Sequence, residues 1–237
     1  LALAKEGGIT RARPVLLDSF LDNAVEVDVD SLRDSKGEVF IAGIMQHIEQ
    51  AGVHSGDSAC VLPPQSLSEV VLKSIEAITK KVAKELDVLG CLNIQFGVLD
   101  EEVYMIEANP RASRTVPFVG KVTGSKVAYA STMIMLGKSI EELIEEGVLV
   151  TKKLNHVGVK EAVMPFSRFP DVDVILGPEM RSTGEAIGID KNFSLAFVKS
   201  QIAAGTDIPM SGTVFISVSD KHKEKVVAMC YQLHLTG

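Results

Sequence analysis

Residues 25–30 alternate strictly between a valine and an acidic side chain, and this pattern restricts the fold more than any other part of the sequence. A period of two places the valines on one face of a β-strand and the carboxylates on the other, so Val25–Asp30 is predicted as a half-buried strand. Further strands are predicted over Pro14–Asp18 and Val39–Met45. Turn-forming residues at Asp34–Gly37 make a short connection, which favours antiparallel pairing of the strands on either side.

The central part of the chain has one clear amphipathic segment and one clear hairpin. After a double proline, the apolar spacing of Ser66–Leu86 predicts a surface helix with one buried face. Cys91–Leu99 and Glu102–Ala108 are predicted as two strands joined by a two-residue turn. Lys126–Met135 is apolar on most sides and is therefore predicted as a buried helix.

The carboxyl-terminal part indicates a change of domain. Val159–Pro165 and Arg181–Ile189 predict a β-rich stretch, and the glycines and proline of Ala203–Gly212 indicate a linker. Thr213–Val218 is predicted as a strand and Ser219–Leu235 as a helix, the pair that would open a doubly wound α/β domain.

We therefore predict an α/β (α+β) chain with an antiparallel sheet and flanking helices. Its first domain covers residues 1–204 and a truncated second domain covers residues 205–237. The chain begins without an initiator methionine and stops directly after a helical pattern, so we expect it to be a fragment.

Composition excludes several classes of partner. A formal net charge of −7 argues against nucleic acid, because binding a phosphate backbone requires clustered basic residues. No apolar run reaches the roughly 20 residues that span a bilayer, and no secretory signal is present, so a cytoplasmic location is expected unless an organelle peptide lies upstream. The three scattered cysteines favour neither disulfides nor a zinc site.

The motif with the clearest chemistry is the run Tyr104–Ala112, which contains Glu-Ala-Asn-Pro-Arg. Glu107 and Asn109 are two residues apart on a strand and so point to one side, with Ile106 and Ala108 expected to face the core. Gln95, on the preceding strand, can face the same space. A carboxylate and two amide oxygens suit magnesium, a hard cation that prefers oxygen ligands.

Pro110 is expected to end this strand and to turn Arg111 back towards the same space, where a guanidinium could hold a phosphoryl oxygen. The alternative is a solvated strand end with a surface arginine. A second segment, Gln46–Ser58, places a histidine and a hydroxyl between two glycines in a run too polar for a core. It predicts a loop whose backbone approaches a nucleotide, whereas a single histidine is more often structural.

Four runs resemble the large subunit of carbamoyl-phosphate synthetase, and specifically its second ATP-grasp half. They are residues 20–30, Glu49–Ser58, Met105–Arg114 and Gly177–Glu185. Other ATP-grasp enzymes, such as biotin carboxylase, share the Glu-x-Asn ending but not the Glu-Gln-Ala-Gly-Val-His-Ser-Gly-Asp loop. By the same resemblance, residues 205–237 would begin a methylglyoxal-synthase-like allosteric domain.

The resemblance implies roles for individual residues. Metal ions would be held by Gln95, Glu107 and Asn109, and Arg111 would act beside the transferred phosphate together with Asn109. An ornithine-type allosteric site would include Glu49, Asp57 and Glu161, although three carboxylates could equally be solvated or ion-paired. The implied ATP contacts are Ser19, Leu21, Glu26, Gly52, Val53, His54, Ser55, Gln95 and Glu107.

The resemblance also implies an activity, which is ATP-dependent phosphorylation of carbamate to carbamoyl phosphate. Its cofactors would be Mg²⁺ or Mn²⁺ and possibly K⁺, and its partner a glutaminase subunit or domain supplying ammonia. Two alternatives remain: another ATP-grasp carboxylate ligase, such as a biotin-carboxylase relative, and a catalytically silent ATP-grasp binding module. The amino-terminal phosphate-binding part of the ATP-grasp domain is not in the sequence, so we expect this chain alone to be inactive.

Overall fold

The structure is a computed structural model that describes residues 19–166 and 173–236. The strand expected at Pro14–Asp18 lies outside the described residues. The chain divides into two compact units between Ala204 and Gly205. Among the described residues, no helix is long and apolar enough to cross a bilayer.

The described part of the first unit is built on one antiparallel sheet of seven strands in the order β5-β4-β1-β2-β3-β6-β7. The strands are β1 (Val25–Arg33), β2 (Val39–His47), β3 (Cys60–Leu62), β4 (Gly90–Leu99), β5 (Glu102–Asn109), β6 (Val157–Val163) and β7 (Gly184–Asp190). The predicted antiparallel pairing of β1 with β2 is confirmed. The hairpin between β4 and β5 is confirmed as well, and both of its turn residues, Asp100 and Glu101, have positive φ.

Among the described residues, five helices flank this sheet. They are α1 (Glu69–Glu85), α2 (Val116–Thr123), α3 (Val127–Met135), α4 (Ile140–Glu145) and α5 (Phe193–Ala203). The predicted helix over Ser66–Leu86 is confirmed as α1, which begins after Ser68, whose hydroxyl accepts a hydrogen bond from the Val71 amide. The helix predicted at Lys126–Met135 is confirmed as α3, but it is not buried all round, since Tyr129 and Met135 are exposed.

The two faces of β1 meet different surroundings, as the alternation predicted. Val27 and Val29 are fully buried in a cluster that includes Val71 and Ile75 of α1. On the opposite face, Leu32 packs at one end of the strand among side chains from α2, α3 and α4. These helices cover only part of that face, so the acidic residues nearer the start of β1 border open space.

The second unit, residues 205–236 as described, contains a short 3-10 helix at Asp220–His222 and then α6 (Lys223–Leu235). The strand predicted over Thr213–Val218 is wrong, because none of these residues is in a strand. An apolar run becomes a strand only where another strand supplies hydrogen-bond partners, and no strand is found among the described residues of this unit. The identity of this unit as the start of an allosteric domain stays a prediction.

Candidate active site

A cavity of about 240 Å³ lies on the acidic face of the sheet. Five strands and two loops contribute to it, so residues far apart in sequence border one space. The side chains used below are Asp28 of β1, Asn93 and Gln95 of β4, Asn109 of β5, Lys160 of β6 and Glu185 of β7, with His54, Ser55, Arg111 and Arg114 from the loops.

The three residues proposed as metal ligands lie side by side. Gln95 is directly opposite Glu107 in the β4–β5 pair, and Asn109 is opposite Asn93. The Asn109 Nδ2 donates to Glu107 Oε1 at 2.8 Å, and the Gln95 Nε2 donates to Ser55 Oγ at 2.9 Å. Since each amide nitrogen is engaged within the protein, the amide oxygens of Gln95 and Asn109 are the atoms left for a ligand.

This donor set suits magnesium better than a transition metal. No group of three or more His, Cys, Asp and Glu side chains that could hold a metal occurs in the described part of the chain. Magnesium needs no such cluster, because it binds through one or two carboxylates and completes its shell with water and substrate phosphates. Glu107 and the two amide oxygens therefore fit a partly ligated hard cation.

The prediction that Ile106 faces the core is wrong. The register shifts by one residue between Gln95 and Phe96, which leaves Ile106 unpaired in a β-bulge, and its side chain is 52% exposed. A bulge adds one residue to one strand and reverses the side-chain alternation beyond it. As a result Ile106 borders a second cavity, while Ala108 still packs against the core under α1.

The segment after β5 is held by Asp30, which sequence reasoning missed. Asp30 Oδ1 accepts hydrogen bonds from Asn93 at 3.1 Å and Ser113 at 2.7 Å, and Oδ2 accepts one from Thr115 at 2.6 Å. Burial raises the pKa of Asp30 to about 6, although these hydrogen bonds oppose the rise. The loop that carries Arg111 is thereby tied to β1, and Arg111 borders the first cavity as predicted from the proline turn.

The second cavity, of about 210 Å³, is mostly apolar and contains four of the predicted nucleotide contacts. Its lining includes Ser19, Leu21, Glu26 and Gly52, together with Phe20, Ala24, Ala51, Gly97 and Ile106. Gly52 has a φ of +94°, and an added Cβ would lie 3.2 Å from the Phe20 ring, so only glycine fits there without strain. The Gly52 amide donates to Glu26 Oε1 at 2.9 Å.

His47 contacts one carboxylate at each cavity, and the sequence analysis did not single it out. It is 5% exposed, its Nε2 lies 2.9 Å from Asp28 Oδ2, and its Nδ1 lies 3.4 Å from Glu26 Oε2. Although burial of the ring opposes the charged form, the carboxylates of Asp28 and Glu26 raise the pKa of His47 to about 9. The imidazolium therefore links one carboxylate at each cavity. The sequence signal that could have found His47 is its position at the end of β2, the strand that pairs with the acidic strand β1.

The remaining loop residues divide between the two cavities. His54 and Ser55 border the first cavity, and His54 Nδ1 accepts a hydrogen bond from the Gly56 amide at 2.9 Å. Val53 is half-buried and borders neither of the two cavities described here.

The three carboxylates assigned to an allosteric site have different environments. Asp57 is buried and accepts hydrogen bonds from the Arg181 and Ser182 amides. Burial opposes its charged form, but hydrogen bonds from the side chain and amide of Ser182 and from the Arg181 amide hold the pKa of Asp57 below its usual value. Burial and then the neighbouring charge of Glu49 raise the pKa of Glu161 to about 7. Glu49 and Glu161 thus interact, whereas Asp57 joins the loop after His54 to the segment before β7.

The seven-stranded antiparallel sheet with its open polar face has the ATP-grasp fold. It superposes with a TM-score of 0.60 on biotin carboxylase from Campylobacter jejuni, at 15% identity over 78% of this chain and 46% of that one. Pyruvate carboxylase from Rhizobium etli gives 0.53, at 20% identity over 62% of this chain and 13% of that one. The chain belongs to the family described as carbamoyl-phosphate synthase L chain, ATP binding domain, whose profile matches residues 3–143.

Curated relatives agree with this family. The carbamoyl phosphate synthase large chain of Synechocystis is 54% identical over 93% of this chain and 20% of the relative, and that of Archaeoglobus fulgidus is 56% identical over 91% and 20%. The carboxyl-terminal section of the large chain of Methanocaldococcus jannaschii is 49% identical over 97% of this chain and 38% of the relative. The chain thus spans about a fifth of the length of the first two relatives.

Proposed function

We propose that this chain forms the carboxyl-terminal part of an ATP-grasp domain that transfers the γ-phosphoryl group of ATP to carbamate, giving carbamoyl phosphate and ADP. The observation that carries the proposal is the convergence of Gln95, Glu107 and Asn109 beside a cavity that Arg111 also borders. Phosphoryl transfer requires positioning and charge stabilisation rather than a protein nucleophile, and this set of side chains supplies both.

The nucleotide would lie along the acidic face of the sheet. Its base fits the mostly apolar second cavity, with Leu21 and Ile106 as walls and Glu26 placed for the ribose hydroxyls. Its phosphates would extend towards the first cavity, because Gly97 and Gln95, two residues apart on β4, border the second and first cavities respectively. His54 and Ser55 would line this path.

Mg²⁺ or Mn²⁺ would be held by Gln95, Glu107 and Asn109, and it would neutralise charge on the phosphates when bound. Arg111 would bind the transferred phosphoryl group through its paired donors, which suit a planar arrangement of oxygens. In the balanced reaction, a carbamate oxygen forms the new bond to the γ-phosphorus as the bond to the β–γ bridging oxygen breaks.

The wider assignments follow from the same family. We propose a glutaminase subunit or domain as the partner that supplies ammonia, and a cytoplasmic location. The second unit, from Gly205, would begin an allosteric domain. The family relationship favours this activity over a biotin-carboxylase-like ligase, because the similarity to biotin carboxylase is confined to the fold.

The test is Glu107→Gln in the complete large chain that contains these residues, with Glu102→Gln on the same strand as the matched control. We expect Glu107→Gln to reduce ATP synthesis from carbamoyl phosphate and ADP by about a hundredfold or more, as for loss of one charge-stabilising group. Bicarbonate-dependent ATP hydrolysis, which we propose for the other ATP-grasp half of such a large chain, should persist. Equal loss of both activities, or loss of ATP synthesis in the Glu102 control, would contradict the assignment.

A further inference from the structure

Lys160, in the middle of β6, is a buried cation that the proposed function leaves unused. Its residue exposure is 0%, and its Nζ has no hydrogen-bond partner within the described part of the chain. Burying an ammonium group without a partner costs free energy, so a buried lysine normally has a carboxylate or a ligand beside it.

The register of the sheet places Lys160 on the face that carries the first cavity. Lys160 is directly opposite Cys60 on β3, and Cys60 is directly opposite His47 on β2. Directly paired residues project from the same face, and His47 contacts Asp28 at the first cavity. Lys160 itself borders that cavity. Its neighbour Glu161 points to the other face, where Gln201 of α5 donates to Glu161 Oε2 at 2.5 Å.

The charges around the cavity favour an anionic ligand near Lys160. Arg111 and Arg114 border the same space, and the carboxylates of the described residues that border it are Asp28 and Glu185. Asp28 is already paired with His47. Glu49 interacts electrostatically with Lys160, but its own Oε2 is also buried without a hydrogen-bond partner. The two groups therefore do not satisfy each other.

We propose that Lys160 binds the acceptor in this cavity, through the carboxylate oxygens of carbamate or the carbonyl oxygen of carbamoyl phosphate; the proposal rests on the function proposed above. The position of Lys160 favours the acceptor over the nucleotide phosphates. Gln95 and Asn109 approach the cavity from β4 and β5, whereas Lys160 approaches from β6, beyond the three intervening strands β1, β2 and β3. An acceptor anion held at Lys160 would lie on the side of the cavity away from the proposed metal ligands.

The experiment compares Lys160→Met with Lys80→Met in the complete large chain. Lys80 is an exposed lysine on α1, which covers the opposite face of the sheet, so it controls for loss of one positive charge. For ATP synthesis from carbamoyl phosphate and ADP, Lys160→Met should raise the KM for carbamoyl phosphate about tenfold or more, the factor expected for one lost charged hydrogen bond. The KM for ADP should stay within about twofold.

A second readout separates ligand binding from a structural role. Methionine has a similar volume and no charge, so Lys160→Met should unfold at the same temperature as the unmodified protein or at a higher one. Failure of this variant to fold, or a lower unfolding temperature with unchanged KM values, would show that Lys160 is a counter-ion of Glu49 and would overturn the proposal. Equal increases in both KM values would place Lys160 on the nucleotide phosphates and would also overturn it.

Failure of the proposed function gives a different result. If the unmodified protein makes no ATP from carbamoyl phosphate and ADP, the acceptor chemistry is wrong, and inorganic phosphate then serves as the anion probe. A phosphate-dependent rise in unfolding temperature that Lys160→Met abolishes and Lys80→Met retains would keep Lys160 as an anion-binding group. No rise in any of the three proteins would overturn it.

Discussion

The variant His47→Gln tests the electrostatic interaction of His47 with Asp28 and Glu26 most directly. Glutamine can still hydrogen-bond to Asp28, but it cannot carry the charge that both Asp28 and Glu26 face. The pKa of His47 is raised from 6.5 to about 9 in the folded chain. A shift of this size corresponds to about 3 kcal/mol of stability.

The sign of the effect follows from the direction of the shift. Because the folded pKa is above the unfolded value, the contribution of His47 is fully present below about pH 6.5 and is lost as the pH rises through about 9. His47→Gln should therefore be less stable than the unmodified chain by about 3 kcal/mol near pH 6, and the difference should shrink towards zero near pH 10.

The measurement is urea unfolding followed by far-ultraviolet circular dichroism at a series of pH values, since the chain has no tryptophan to report by fluorescence. His234→Gln, at an exposed position on α6, is the control and should track the unmodified chain at every pH. A constant difference between His47→Gln and the unmodified chain across the whole range would refute the reasoning, because it would mean that His47 has the same pKa in the folded and unfolded chains.

Three further predictions follow from the structure. As the pH rises from about 4 to about 7, the free energy of unfolding of Asp30→Asn should increase by about 3 kcal/mol relative to that of the unmodified chain. The reason is that an acid whose folded pKa is raised from 3.8 to about 6 destabilises the unmodified chain as the pH rises through that window. Urea unfolding at both ends of the range checks this. Gly188→Ala should lower the free energy of unfolding by about 3 kcal/mol, because its Cβ would lie 2.0 Å from the Ala196 carbonyl oxygen of α5. The control Gly177→Ala, whose Cβ would have no atom within 4 Å, should change it by no more than about 0.5 kcal/mol, as measured by thermal unfolding. Limited proteolysis should first cleave the chain within Gly205–Gly212, directly after the division between the two units. Mass spectrometry of the first fragments locates the cut, and a first cut outside this segment would contradict the prediction.

Elements with simple periodicity could be predicted from the sequence. Strict alternation in β1 identified both its buried face and the acidic face that carries the site. The strand β3 has three residues, too few for any period to show, yet it bonds to β2 on one side and to β6 on the other. The helix α2 begins with a proline in its first turn and is only eight residues long, so its local signal was weak.

The site could be predicted where strand parity alone decides the geometry. Glu107 and Asn109 were expected on one side, and the hydrogen bond between them confirms that arrangement. The bulge at Ile106 could not be predicted, because it depends on how two strands pair and not on either strand alone. Asp30 and His47 were missed for a related reason, since their partners lie on other strands or on a distant loop.

The position of β5 in the sheet has a consequence for how the site responds to its ligands. In the described sheet β5 is the outermost strand, bonded only to β4, and most of its side chains are exposed. Local opening of this hairpin would separate Glu107 and Asn109 from Gln95 while leaving the buried clusters around β1 largely intact. Amide hydrogen exchange in β5 should therefore report ligand occupancy separately from global unfolding, with slower exchange when the proposed nucleotide and metal ligands bind.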